Sequence, residues 1–130
     1  MRCPLPATAL ALAAIAVGCG KEDEPLRSVT VKAGEVIRVK GDEYAFDPGR
    51  IVVKGSAPKL EITLVNAGRL AHNLEVTDGE RTLGGLRSFP AGEERTLEVR
   101  VPPGSYEMVC TVADHEELGM KGELEVVAAP

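Results

Sequence analysis

The 130-residue chain has no tryptophan, only two phenylalanines and two tyrosines. A core built around large rings is therefore excluded, and Val, Leu and Ile, which are plentiful, must fill it. The chain also lacks any run of about 20 apolar residues, the length a helix needs to span a bilayer. Positive charge is scarce: 15 Lys and Arg face 20 Asp and Glu, for a net charge of −5. Proteins hold nucleic acid by neutralising phosphates with Lys and Arg, so that class of partner is excluded. Charged residues still make up 27% of the chain, which fits neither a chain disordered by composition nor a membrane span. The length suits one domain with a real core.

The N-terminal residues read as an address. Arg2 supplies a minimal positive start, and "ATALALAAIAVG" (Ala7 to Gly18) is an uncharged apolar run of the size of a signal-peptide core. It leads into "IAVGCGKEDEP", where small residues precede Cys19 and a charged segment follows. This resembles the lipobox of bacterial lipoproteins, which implies acylation of Cys19 and a membrane-anchored, exported protein in the periplasm or on the outer face of the membrane. A plain secretory signal with cleavage nearby is the alternative. The expected organisation is a signal peptide over 1–18, a tether over 19–27 and one domain over 28–130. Export gives the cysteine count its meaning. Cys3 leaves with the signal and Cys19 is blocked by lipid, so Cys110 is a lone thiol in an oxidising compartment. Metal ligation is one reason for such a thiol to exist.

From Ser28 onward apolar residues recur with period two, interrupted by Gly, Pro, Asn and Asp, which predicts strands and turns. "KLEITLVNAG" aligns Leu60, Ile62 and Leu64 on one face before an Asn-Ala-Gly turn. "LAHNLEV" carries the alternation through Leu70, His72, Leu74 and Val76, and "SYEMVCTV" aligns Tyr106, Met108, Cys110 and Val112. No stretch of ten residues has clean helical periodicity. "DHEELGM" offers at most one helical turn, capped by Asp114 and limited by Gly119. Seven or eight short strands in about 100 residues predict an all-β, antiparallel Greek-key β-sandwich. His72 and Cys110 fall on inward faces near strand ends, where they are candidates to meet at one pole.

"CTVADHEELGM" places Cys110, His115 and Met120 at five-residue intervals, and His72 is the only other histidine. Two imidazoles and a thiolate, with a weak axial thioether, form the ligand set of a blue-copper centre. Taken singly, each of these residues is more often ordinary core; together, in order, they point to a metal. Zinc is the other reading, with Glu116 or Glu117 in place of Met120, because a thioether is a poor zinc ligand. Met108 shares the inner face and reads as core. "LGG" (Leu83 to Gly85) is no phosphate loop, since no Lys-Ser/Thr follows it.

These segments, with "YAFDPGRIVVKG" and "PPGSYEMVC", resemble in order those of the cupredoxin family, the type 1 blue copper proteins of plastocyanin, azurin and auracyanin type. The resemblance covers most of residues 28–127 and implies His72, Cys110, His115 and Met120 as ligands of one copper ion. It further implies that Asn73 braces the thiolate and ligand loop. Asp114 stands where many relatives carry Gly. The function implied is one-electron transfer between redox partners, with an exposed edge of His115 as the electron exit. The protein is then not an enzyme, since no histidine remains for further coppers or for a catalytic triad. Copper buffering or delivery outside the cytoplasm is the alternative. Leu70, Ala71, Leu118 and Gly119 are candidates for an apolar docking patch on a monomer. Asp114, Glu116 and Glu117 around it favour a basic face on a cytochrome or membrane oxidoreductase.

Overall fold

The computed structural model describes residues 25–55 and 59–129. The expected signal peptide and Cys19 lie outside the described residues, as does most of the tether. Ten strands follow one another: β1 (Ser28–Lys32), β2 (Ile37–Asp42), β3 (Ala45–Asp47), β4 (Arg50–Lys54), β5 (Leu60–Asn66), β6 (Glu75–Thr77), β7 (Thr82–Gly85), β8 (Glu94–Val99), β9 (Gly104–Val109) and β10 (Lys121–Val127). Six form one sheet in the order β1-β4-β10-β9-β6-β7, and four form the other in the order β3-β2-β5-β8. There is no helix among the described residues.

Alternation in sequence becomes alternation in burial. In β2, Ile37, Val39 and Gly41 are buried while Arg38, Lys40 and Asp42 face water. β10 does the same with Gly122, Leu124 and Val126. The inner faces meet in a core of Ile37, Val39, Ile51, Val53, Ile62, Leu64, Leu74, Val76, Leu124 and their neighbours. Burial of each such side chain stabilises the fold by about 1.5–3 kcal/mol, so aliphatic residues do the work that rings do elsewhere. β5 departs from strict alternation because it lies between β2 and β8. Its outward Thr63 is buried too, and its hydroxyl is hydrogen-bonded to that of Thr96 at 2.8 Å.

The all-β sandwich expected from the alternation is what forms, but its sheets are mixed rather than antiparallel throughout. β1 and β10 each run parallel to β4, and β2 runs parallel to β5. The reason is topological. After β1 the chain crosses to the other sheet for β2 and β3, and returns as β4 beside β1 in the same direction. The β9–β10 pair, antiparallel from Lys121↔Val109 to Val126↔Gly104, positions the site. Cys110 follows β9 directly and Met120 precedes β10 directly, so the loop between them emerges at one pole of the sandwich.

Candidate metal centre

Cys110 is fixed by continuing the β9–β10 ladder one step beyond the strands: its N–H donates to the Met120 carbonyl at 3.1 Å. The loop then folds on its own backbone. His115 N–H donates to Val112 C=O, and Met120 N–H donates to His115 C=O at 2.9 Å. The helical turn considered for "DHEELGM" is reduced to one bond of helical spacing, from Leu118 N–H to Asp114 C=O at 3.0 Å. Gly119, with φ of +109°, ends it in a conformation that side-chain-bearing residues rarely adopt. His72 arrives from the other side of the pole. Its backbone pairs with Phe89 as an isolated bridge, donating at 3.2 Å and accepting at 3.0 Å.

These local structures bring the His72 ring to two donors of the loop, 38 and 43 residues further along the chain. The Nδ1 atoms of His72 and His115 lie 3.2 Å apart. The Sγ of Cys110 is 3.9 Å from the first and 3.6 Å from the second. All three residues are buried, and no other comparable cluster of His, Cys, Asp and Glu occurs among the described residues. Two imidazole nitrogens and a sulfur, each with a lone pair to offer, converge on one point. Soft sulfur suits Cu(I), and imidazole is acceptable to Cu(II). The residues present therefore fit a copper ion by donor chemistry. Met120 is fully buried beside them. A Cβ placed on Gly41 would lie 3.1 Å from the Met120 methyl and 4.0 Å from Cδ2 of His72, which sets the thioether end of Met120 near the His72 ring. Met108 is also fully buried, but in the register of Val76 and Gly122, as core.

The loop is held from its flank by Asn73. Its Oδ1 accepts from Thr111 N–H and its Nδ2 donates to Thr111 Oγ1, both at 2.8 Å. Asn73 thereby ties the loop at the residue that follows the cysteine. Leu70, Ala71, Asp114, Glu116, Glu117 and Leu118 all lie on loops at this pole; the two leucines are 44% and 52% exposed, and the acids are exposed. His115 is only 5% exposed, because Tyr44 packs against its ring at a centroid distance of 5.0 Å. The edge it offers to solvent is narrow.

One residue at the site was not legible from the sequence. Glu43, in the turn between β2 and β3, places Oε1 2.9 Å from Nε2 of His72. The same oxygen accepts from Leu70 N–H at 2.9 Å and Arg69 N–H at 2.8 Å. These backbone donors, Leu70 foremost, with the neighbouring imidazole, hold the Glu43 carboxyl down at about 2. "GDEYAF" reads as a polar turn, and only the fold brings it over the histidine. The one hint was a carboxylate inside a segment bounded by strands that feed the same pole.

No protein-family model matches the chain, and no curated protein sequence does. Solved structures do. Reduced auracyanin from the photosynthetic bacterium Roseiflexus castenholzii superposes with a TM-score of 0.65 at 20% identity, covering 73% of this chain and 98% of that one. The azurin Az-iso2 of Methylomonas sp. strain J gives 0.65 at 13% identity, over 73% and 99%. Rusticyanin from Thiobacillus ferrooxidans gives 0.61 at 18% identity, over 75% and 82%. At such identities the likeness is one of fold, while the donor cluster stands on its own geometry. The chain has the cupredoxin fold, and its His72, Cys110 and His115 cluster, with Met120 nearby, resembles a type 1 copper site.

Proposed function

We propose that the protein is an extracytoplasmic one-electron carrier that holds one copper ion through His72, Cys110 and His115, with Met120 as a weaker fourth ligand. The observation that carries this reading is the convergence of two Nδ1 atoms and one Sγ within 4.8 Å of one another, all buried. Bound there, copper supplies a Cu(I)/Cu(II) couple. The chain's own contribution is preorganisation. His72 and Cys110 are fixed by strand-like pairing and His115 by a hydrogen-bonded turn, so the donors need little movement on a change of charge. Burial keeps water from the thiolate.

Both histidines serve this cluster, which leaves no imidazole for acid–base chemistry or for additional coppers, and we assign no catalytic role. Buried donors also favour carrying electrons over trading metal, which asks for accessible ligands. The exposed side chains of Leu70 and Leu118 at this pole give a partner an apolar contact. Asp114, Glu116 and Glu117 steer a basic face toward it, chiefly by raising the encounter rate. Acylation of Cys19 would confine the search to a membrane surface.

The test is one equivalent of Cu(II) added to residues 20–130, followed by visible absorption and EPR spectroscopy. An intense thiolate-to-copper band with narrow hyperfine splitting, lost in Cys110→Ser, is the expected result. An ordinary Cu(II) spectrum would sink the electron-carrier reading and favour copper handling; preference for zinc would overturn both.

A further inference from the structure

Nothing in the donor set explains why a carboxylate reaches over the pole to a fully buried histidine. His72 has no exposed surface, whereas the Glu43 side chain is 23% exposed. The backbone N–H groups of Arg69 and Leu70 donate to Glu43 Oε1, and Nε2 of the His72 ring lies 2.9 Å from the same oxygen. A carboxylate only accepts hydrogen bonds, so Nε2 of His72 must carry the proton. The lone pair of the neutral imidazole is then on Nδ1, the atom that faces Cys110 and His115. Room for this contact exists because residue 68 is glycine. A Cβ there would lie 2.2 Å from Glu43 Oε1 and 2.9 Å from His72 Nε2. The adjacent Tyr44 packs on His115, so one turn supports both imidazoles from outside.

We propose that Glu43 is a positioning residue that locks His72 in its Nε2–H tautomer and, by its negative charge, biases the site toward the more oxidised metal. The first half concerns the protein itself. The second rests on the copper reading above. A carboxylate hydrogen-bonded to a ligating histidine orients the ring and makes the opposite nitrogen more basic. The extra electron density and the nearby negative charge favour the higher charge on the metal, so the reduction potential is lower than it would be without Glu43.

Two substitutions separate the effects. Glu43→Gln retains an amide oxygen to accept the Nε2–H but removes the charge. Glu43→Ala removes both. The tautomer is read by 15N NMR of the imidazoles in metal-free protein, at a pH well above the ordinary histidine value of about 6.5. Wild type and Glu43→Gln should show His72 protonated at Nε2, and Glu43→Ala should lose that single tautomer. In copper-loaded protein, Glu43→Gln should lower the preference for Cu(II) over Cu(I) by about tenfold, a rise of about 59 mV for a one-electron couple. Gly68→Ala should disturb His72 as Glu43→Ala does. A wild-type His72 protonated at Nδ1, or an Nε2–H tautomer that survives Glu43→Ala, would overturn the positioning role. An unchanged potential in Glu43→Gln would overturn the charge effect. If copper does not bind, the function proposed above fails, yet the tautomer result still decides the role of Glu43.

Discussion

Removing the Asn73 carboxamide should loosen the ligand loop by a calculable amount. Asn73 is 6% exposed, and both ends of its amide are spent on Thr111. In Asn73→Ala the Thr111 N–H loses its acceptor. The Thr111 hydroxyl keeps a partner in Glu75 Oε1 at 3.1 Å, so its loss is smaller. A typical hydrogen bond contributes about 1 kcal/mol net, and an orphaned buried donor costs about 1–3 kcal/mol. Thr111 itself is exposed, so water can reach part of the site and the total should fall at about 1–3 kcal/mol. Urea denaturation of the metal-free protein measures it, as a lower midpoint at unchanged slope. Thr111→Val isolates the hydroxyl, since it keeps the bond from Thr111 N–H to Asn73. A double-mutant cycle over Asn73→Ala and Thr111→Val should give a coupling of about 0.5–1.5 kcal/mol. Copper affinity should fall about 10–100-fold in Asn73→Ala, as it does when residues that hold a ligand are removed. A destabilisation below about 0.5 kcal/mol, with no coupling, would refute the bracing argument.

Three further outcomes are expected. Met120→Leu conserves volume at a fully buried position, so stability should change by less than about 1.5 kcal/mol; voltammetry should show a higher potential once the thioether is gone. Gly122→Ala should destabilise by about 1–3 kcal/mol in thermal or urea melts, because the new Cβ would sit 2.7 Å from the Gly49 carbonyl oxygen. Asp78 accepts from the N–H groups of Glu80 and Arg81 and from the Arg81 guanidinium, which together depress its carboxyl below the usual 3.8. A depressed folded-state value means stability that is present above 3.8 and lost as pH falls through the lower folded value. Acid titration of stability should therefore be shallower in that window for Asp78→Asn than for wild type, and equal slopes would contradict the assignment.

What the sequence exposes and what it hides divide along a physical line. Period-two alternation reports which face of a strand is buried, and it located the inward side chains of β5 and β9 directly. It says nothing about which strands pair, so the parallel neighbours of β4 were invisible: pairing depends on how often the chain changes sheets. The cluster was legible because three of its four residues lie within the eleven residues from Cys110 to Met120, on either side of one strand junction. His72 was found from its inward place in the alternation and because the chain holds two histidines in all. Leu70 shows the limit of extending a pattern. The alternation placed it inward with His72, yet it is 44% exposed, because the segment from Ala67 to Ala71 is a loop and the next strand begins at Glu75.

Glu43 and Tyr44 mark the point where local pattern stops informing. Each is ordinary in its own turn, and each matters through a neighbour 29 or 71 residues away, His72 or His115. The consequence is a division of labour at the pole. The donors come from segments tied to the sheets, whereas the carboxylate proposed to fix the His72 tautomer and the ring packed on His115 come from a turn of the facing sheet. In this chain the donors and that turn lie in separate segments, so each can be changed without the other. The turn supplies a carboxylate within hydrogen-bond distance of the buried imidazole. Grafting a turn that lacks it, with Gly68 retained, should leave the thiolate-to-copper band in place while the potential moves upward, the signature expected if ligation and tuning reside in separate parts of the chain.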